Sequence, residues 1–329
     1  MSRFPDQFVW GAATAAYQVE GAAYSGGRGL SIWDVFCKTP GKVFNGHNGD
    51  TACDQYNRYK EDIAIMKELG IKAYRLSISW PRIIPNGVGQ VNEEGIANYD
   101  RLVDELLENG IEPYVTLFHW DFPYELYKLG GWLNRDVAEW FGEYTKIVVK
   151  RLGDRVKYWM TQNEPLCYIY YGHYEGSMAP GLKLSWKETL QIAHNSMRAH
   201  GNSVMAIRSA SKLPNIVGCA SNGRYASPYS DRAEDVEAAQ QYMFGTNIPD
   251  KFTVSMLHEP IIFGHYPQSM WDTHGAHMPE IEDGDLEMMC QPMDFLGINI
   301  YAVLTSEVTS IGPCWITLNG RRVIPCVWG

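Results

Sequence analysis

Strand-like runs alternate with amphipathic helix-like runs along this chain. Equivalent points on three successive strand runs, Leu76, Leu117 and Trp159, lie about 40 residues apart, close to the length of one βα unit with a generous loop. No sequence repeat accompanies the period. A parallel neighbour is reached only through a long crossover, so this alternation restricts the chain to an α/β fold built on a parallel sheet.

The strand runs are residues 8–14, 72–80, 113–118, 156–162, 216–221 and 294–301. Apolar residues at helical spacing predict a helix opening at Asp50 and stopping at Gly70, then helices over 92–109, 135–152, 186–209, 231–244 and 252–263. Residues 26–29 and 40–49 are rich in glycine and asparagine and read as loops, with SIWDVF between them as a short helical turn. Residues 315–324 read as a hairpin about Asn319-Gly320.

The 329 residues, 45% of them hydrophobic and 20% charged, suffice for a large core. A net charge of -10 leaves no basic stripe for a phosphate backbone, so neither nucleic acid nor an anionic membrane is expected as a partner. Aromatic residues make up 13% of the chain, which suits either sugar stacking or an aromatic-rich core. The seven cysteines are scattered and show no zinc spacing, so they read as reduced thiols, with no metal and no cofactor expected. The N-terminal stretch is too short and too broken for a signal peptide or a membrane span, which points to the cytosol.

Polar groups recur where strand runs end. Gln18 follows the first, His119 the third, Asn163 and Glu164 the fourth and Asn222 the fifth, while Asn299 and Tyr301 end the sixth. In a β/α barrel these ends gather at one mouth, where active sites form. An open doubly wound sheet is the competing fold, but no Gly-rich phosphate turn follows the first strand. In VKYWMTQNEP, Val156, Tyr158 and Met160 alternate with Lys157, Trp159 and Thr161, and Pro165 suits the first turn of a helix. Taken alone, Glu164 reads as a cap meeting that helix's dipole, and Gln18 as a loop hydrogen-bonder or a sugar ligand. Arg75, inside the second strand run, would need a carboxylate partner if buried. The set has no nucleophilic serine elbow; neutral hydrogen-bonding groups, aromatic faces and one lip carboxylate suit a polyol ligand and acid catalysis.

The segments FVWGAATAAYQVEG, GDTACDQYNRYKEDI, YRLSISWPRI, TLFHWDFP, WMTQNEP and DFLGINIY, in this order, resemble glycoside hydrolase family one, the β-glucosidase family. The resemblance implies a (β/α)8 TIM barrel that hydrolyses β-D-glucosides or related β-glycosides with retention. It makes Glu164, the glutamate of the NEP motif, the general acid/base. It assigns Gln18, His119, Trp120, Asn163, Asn222 and Tyr301 to substrate binding, and places Arg75 beside the nucleophilic glutamate. Ile300 stands where an aromatic residue is usual.

The family's nucleophile lies in a TENG-like motif on the seventh strand, and this sequence contains neither that motif nor the Glu-Trp pair of the eighth strand. The expectation is therefore a single barrel domain over 1–329, C-terminally truncated relative to the family at about six of eight βα units. The first and sixth strands would be open edges, and the chain a poorly soluble protein or a homo-oligomer. The terminal hairpin is expected in the loop after the sixth strand. A retaining site needs two carboxylates, so the isolated chain is expected to be inactive. Glu20, Asp34 and Asp121 lie near strand lips but match positions of loop structure or sugar hydroxyl binding. The alternative is a non-catalytic β-glucoside-binding protein.

Overall fold

The computed structural model describes residues 4–222, 225–301, 303–307, 315–318 and 321–323. Its strands are β1 (Gly11–Ala13), β2 (Ala73–Ser77), β3 (Glu112–Phe118), β4 (Tyr158–Asn163), β5 (Ile216–Asn222), β6 (Tyr225–Pro228), β7 (Phe295–Asn299), β8 (Val303–Glu307), β9 (Trp315–Leu318) and β10 (Arg321–Val323). Six of them form one parallel sheet in the order β1-β2-β3-β4-β5-β7, curled into part of a barrel. All six were legible as strand runs, and β1 and β7 are the two edges.

Helices cross between the strands where apolar periodicity places them. Helix Glu93–Glu108 buries Ile96, Tyr99, Leu102, Val103 and Leu106, and helix Val137–Leu152 buries Phe141, Tyr144, Val148, Val149 and Leu152. Helix Trp186–Ala210 starts on a capping box made by Ser185 and Glu188. The helix expected from Asp50 begins at Gln55 instead, because residues 51–54 close a turn through the Asp54 amide and the Thr51 carbonyl. Much of the aromatic excess is core. Trp80 stacks on Tyr144 at 4.9 Å between centroids and Trp132 on Tyr168 at 5.1 Å, and Trp80, Trp132, Trp159 and Tyr144 are almost wholly buried.

A second sheet runs β10-β9-β8-β6. It gathers the segments that follow β5 and β7, with β6 parallel to β8 and β9 antiparallel to both β8 and β10. The expected hairpin is present as β9 and β10, with Leu318 opposite Arg321, and it joins the segment after β7 and does not cover the edge of the parallel sheet. The strands β6 and β8 had no sequence signal. Each is short, and they find one another only across a long stretch of chain.

Candidate active site

The geometry of the site starts from an irregularity in β4. Met160 pairs with Gly218, yet Asn163 pairs with Ala220, so β4 carries one residue more than β5 over this step, the count of a β-bulge. Strict alternation would put Gln162 on the face of Met160 and turn Asn163 toward the helices. The bulge exchanges them. Gln162 donates to the Ser196 carbonyl in helix Trp186–Ala210 at 2.9 Å, while Asn163 joins the face that carries Arg75, Thr116 and Met160.

Asn163 is the hub of the site. Its Oδ1 accepts from Arg75 Nη2 at 2.6 Å and from Asn299 Nδ2 at 3.1 Å. Both partners are donors only through these atoms, which fixes the amide so that Nδ2 faces His119 Nε2 at 3.0 Å. His119 Nε2 is then the acceptor and Nδ1 carries the proton. Burial, reinforced by the Arg75 charge, lowers the His119 pKa to about 3, so the ring is neutral near neutral pH. Its Nδ1–H is a buried donor without a hydrogen-bond partner among the described residues. Trp120 donates its indole N–H to the Asn163 carbonyl at 2.8 Å.

Glu164 follows at the lip, 6% exposed and held at φ 45°, a left-handed conformation costly for a residue with a Cβ. Its amide donates to the Ala220 carbonyl at 2.7 Å and its own carbonyl accepts from Cys167 at 2.9 Å, which pins it across the β4–β5 step. The carboxylate accepts from Asn299 Nδ2 on one oxygen and from the Cys167 thiol at 3.2 Å on the other. Asn222, opposite Asn299 in the β5–β7 register, donates to the same sulfur at 3.3 Å and keeps a buried Oδ1 without a partner among the described residues. Cys167 was not among the expected site residues, and Asn299 was expected at the mouth as a polar strand end but given no role. The signal for Asn299 was present, a polar residue closing an apolar strand; for Cys167 there was none.

Arg75 does not find the carboxylate its burial was expected to require. Its Nε donates to Thr116 at 2.9 Å and its Nη2 to Asn163, both neutral acceptors. Burial pulls its pKa down, and the charge of Glu164 is the first of the influences opposing that. Tyr301, just past β7 and exposed, lies close enough to Glu164 and Arg75 for their charges to act on its hydroxyl. Gln18, His119 and Trp120 line one cavity of about 340 Å3 that also takes in Tyr17 and Trp33, with Gln18 itself exposed. Glu164 is outside that lining and connects to it through Asn163.

The other acidic residues near strand lips are engaged elsewhere. Glu20 pairs with Arg82 at 2.9 Å and accepts from Tyr99. Asp34 pairs with Arg28 at 2.9 Å and closes the capping box of Ser31. Asp121 is wholly buried. Among the described residues no group of three or more His, Cys, Asp or Glu is placed to hold a metal ion, and no helix is long and apolar enough to cross a membrane.

Comparison with known proteins gives the setting of this geometry. The family model described as glycosyl hydrolase family 1 matches residues 1–314. A 1,4-beta-D-glucan glucohydrolase of Thermotoga neapolitana is 44% identical over 302 residues, which span 92% of this chain and 69% of that protein. Beta-glucosidase A of Thermotoga maritima is 43% identical over 302 residues, spanning 92% of this chain and 66% of its own length. In three dimensions the chain is similar to a beta-glucosidase from Thermotoga maritima in complex with deoxynojirimycin, with a TM-score of 0.87, 40% identity, and coverage of 97% of this chain and 71% of that one. Structures of that family are (β/α)8 barrels, of which the curled parallel sheet is a part. The chain belongs to glycosyl hydrolase family 1.

Proposed function

We propose that this chain carries the sugar-binding and general acid/base part of a β-glucosidase site that acts with retention on β-D-glucosides or related β-glycosides. The observation that carries the reading is Glu164 itself. It is a nearly buried carboxyl at a strand's C-terminal lip, strained in its backbone, and grouped with Asn163, His119, Arg75 and Asn299. Glu164 would protonate the departing glycosidic oxygen and later deprotonate the attacking water. The buried Nδ1–H of His119 and the amides of Gln18 and Asn222 suit sugar hydroxyls, and the Trp120 ring offers an apolar face. Arg75 would position and stabilise the second carboxylate.

That second carboxylate must attack the anomeric carbon from about 5–5.5 Å away. Glu20, Asp34 and Asp121 are unsuited to the task, two being tied to arginines and the third sealed from solvent. We therefore propose that the isolated 329-residue chain does not turn over substrate. A non-catalytic β-glucoside-binding protein is the second reading, favoured by a sugar-facing set that assembles while those carboxylates are engaged elsewhere. The test is hydrolysis of a nitrophenyl β-glucoside by this chain and by the same chain extended with the remaining part of a family relative. Turnover confined to the extended protein supports the first reading. Robust turnover by the isolated chain overturns the assignment of roles, and an extended protein that binds the glucoside without cleaving it supports the second reading. A cytosolic location with reduced thiols belongs to the same proposal, supported by Cys37, Cys53, Cys219 and Cys290 being unbridged.

A further inference from the structure

We infer that the Glu164 oxygen that carries the catalytic proton is Oε2, and that Cys167 is its positioning residue, a hydrogen-bond partner able to serve both protonation states. The two carboxyl oxygens meet different neighbours. Oε1 accepts from Asn299 Nδ2, and Oε2 accepts from the Cys167 thiol at 3.2 Å. Which atom Asn299 presents is settled by Arg75. A guanidinium only donates, so Asn163 offers it Oδ1, and the same Oδ1 takes Asn299 Nδ2 at 3.1 Å. Asn299 therefore spends one amide hydrogen on Asn163 and the other on Glu164 Oε1. A proton on Oε1 would face that N–H with no acceptor to meet it.

Oε2 meets a group of another kind. A thiol has one hydrogen that rotates about the Cβ–S bond and a sulfur that accepts weakly. Toward the carboxylate Cys167 donates; toward the carboxylic acid its hydrogen turns aside and presents the sulfur. The side chain is held for this exchange. The Cys167 amide donates to the Glu164 carbonyl at 2.9 Å, which brings the chain back to the carboxyl, and Asn222 Nδ2 donates to the sulfur at 3.3 Å from β5. At 2% exposure Cys167 leaves bulk water little access to that side of Glu164. The inference rests on the acid/base reading of Glu164 and locates its proton. In the acid step the Oε2–H bond breaks as the proton passes to the glycosidic oxygen. The bond from that oxygen to the anomeric carbon breaks with its electron pair left on oxygen, and the carbon passes to the second carboxylate. The thiol hydrogen then returns to Oε2, and no proton leaves sulfur.

Two measurements test it. In the chain itself, the S–H stretching band of Cys167, assigned as the Raman band missing from Cys167→Ser, should move to higher frequency in Glu164→Gln, where a neutral amide is the weaker acceptor. A band that stays in place overturns the contact and the inference with it. In the extended enzyme, Cys167→Ala should lower kcat/KM for an alkyl β-glucoside about three- to tenfold. For a dinitrophenyl β-glucoside kcat/KM should stay near the wild-type value, because that leaving oxygen needs no proton. Cys167→Ser, which keeps a rotating donor and an acceptor, should recover most of the alkyl-glucoside activity. An alanine variant that matches the wild type, a loss equal for both substrates, or a serine variant no better than alanine overturns the inference. Any of these leaves the role of Glu164 standing. If instead Glu164→Gln fails to separate the two substrates, the acid/base reading falls and takes this inference with it.

Discussion

Asp121, in the segment after β3, is wholly buried, and among the described residues neither of its carboxyl oxygens has a well-formed hydrogen bond. Burial raises its pKa from 3.8 to about 7; Glu20 adds to the effect, while Ser79 and Arg28 work against it. Each tenfold change in proton affinity is worth about 1.4 kcal/mol, so ionised Asp121 costs the folded chain about 4 kcal/mol. The folded state binds the proton more tightly than the unfolded state. Stability from this group is therefore complete below its unfolded value of 3.8 and is lost as pH rises through about 7. Asp121→Asn removes the titration, at a pH-independent cost of about 1–3 kcal/mol for an amide left without partners. Measured by urea unfolding, the variant should be less stable than the wild type near pH 4 and equal or more stable near pH 8, a relative gain of about 4 kcal/mol. Parallel pH profiles for the two proteins would refute the reasoning, because other groups titrate alike in both.

Two further substitutions probe the frame and the site. Asp285 receives Arg135 at 2.7 Å, Arg198 at 2.8 Å and His194 at 3.0 Å, and although burial works to raise its pKa, the bonds from Arg135, the Glu282 amide and His194 hold it at about 2. Asp285→Ala should cost about 3–5 kcal/mol near neutral pH, because it strands buried charge. The folded value is depressed, so the penalty should shrink as pH falls below about 4 in acid unfolding. Asn299→Ala removes a donor from Glu164 and should lower kcat/KM of the extended enzyme about tenfold or more, with little change in melting temperature.

The sheet was legible because strand runs alternate with helix periodicities: β2, β3 and β4 recur at one spacing, and β5 and β7 show as buried apolar runs of their own. The first helix start was not, since a turn closed by local hydrogen bonds at Asp54 looks polar in the same way as a helix cap. The lip residues were visible as polar breaks in apolar runs, but their facing was not. Period-2 reading would turn Asn163 away from Arg75, and only the extra residue between Met160 and Asn163 brings it round. Register with a neighbouring strand is a property of two segments, so one strand's sequence cannot reveal it. Cys167 was invisible for a similar reason. Its contact with Glu164 depends on the left-handed turn at Glu164 and the helix that follows, neither of which its residue type signals.

The most direct test of Glu164 as the acid/base compares leaving groups in the extended enzyme. For an alkyl β-glucoside, whose oxygen must be protonated to depart, Glu164→Gln should lower kcat/KM about 10²- to 10⁴-fold. For a dinitrophenyl β-glucoside, which leaves unaided, kcat/KM should stay near the wild-type value, while kcat and KM fall together as the water step loses its base. An equal loss of kcat/KM for both substrates would contradict the assignment and make Glu164 a binding residue.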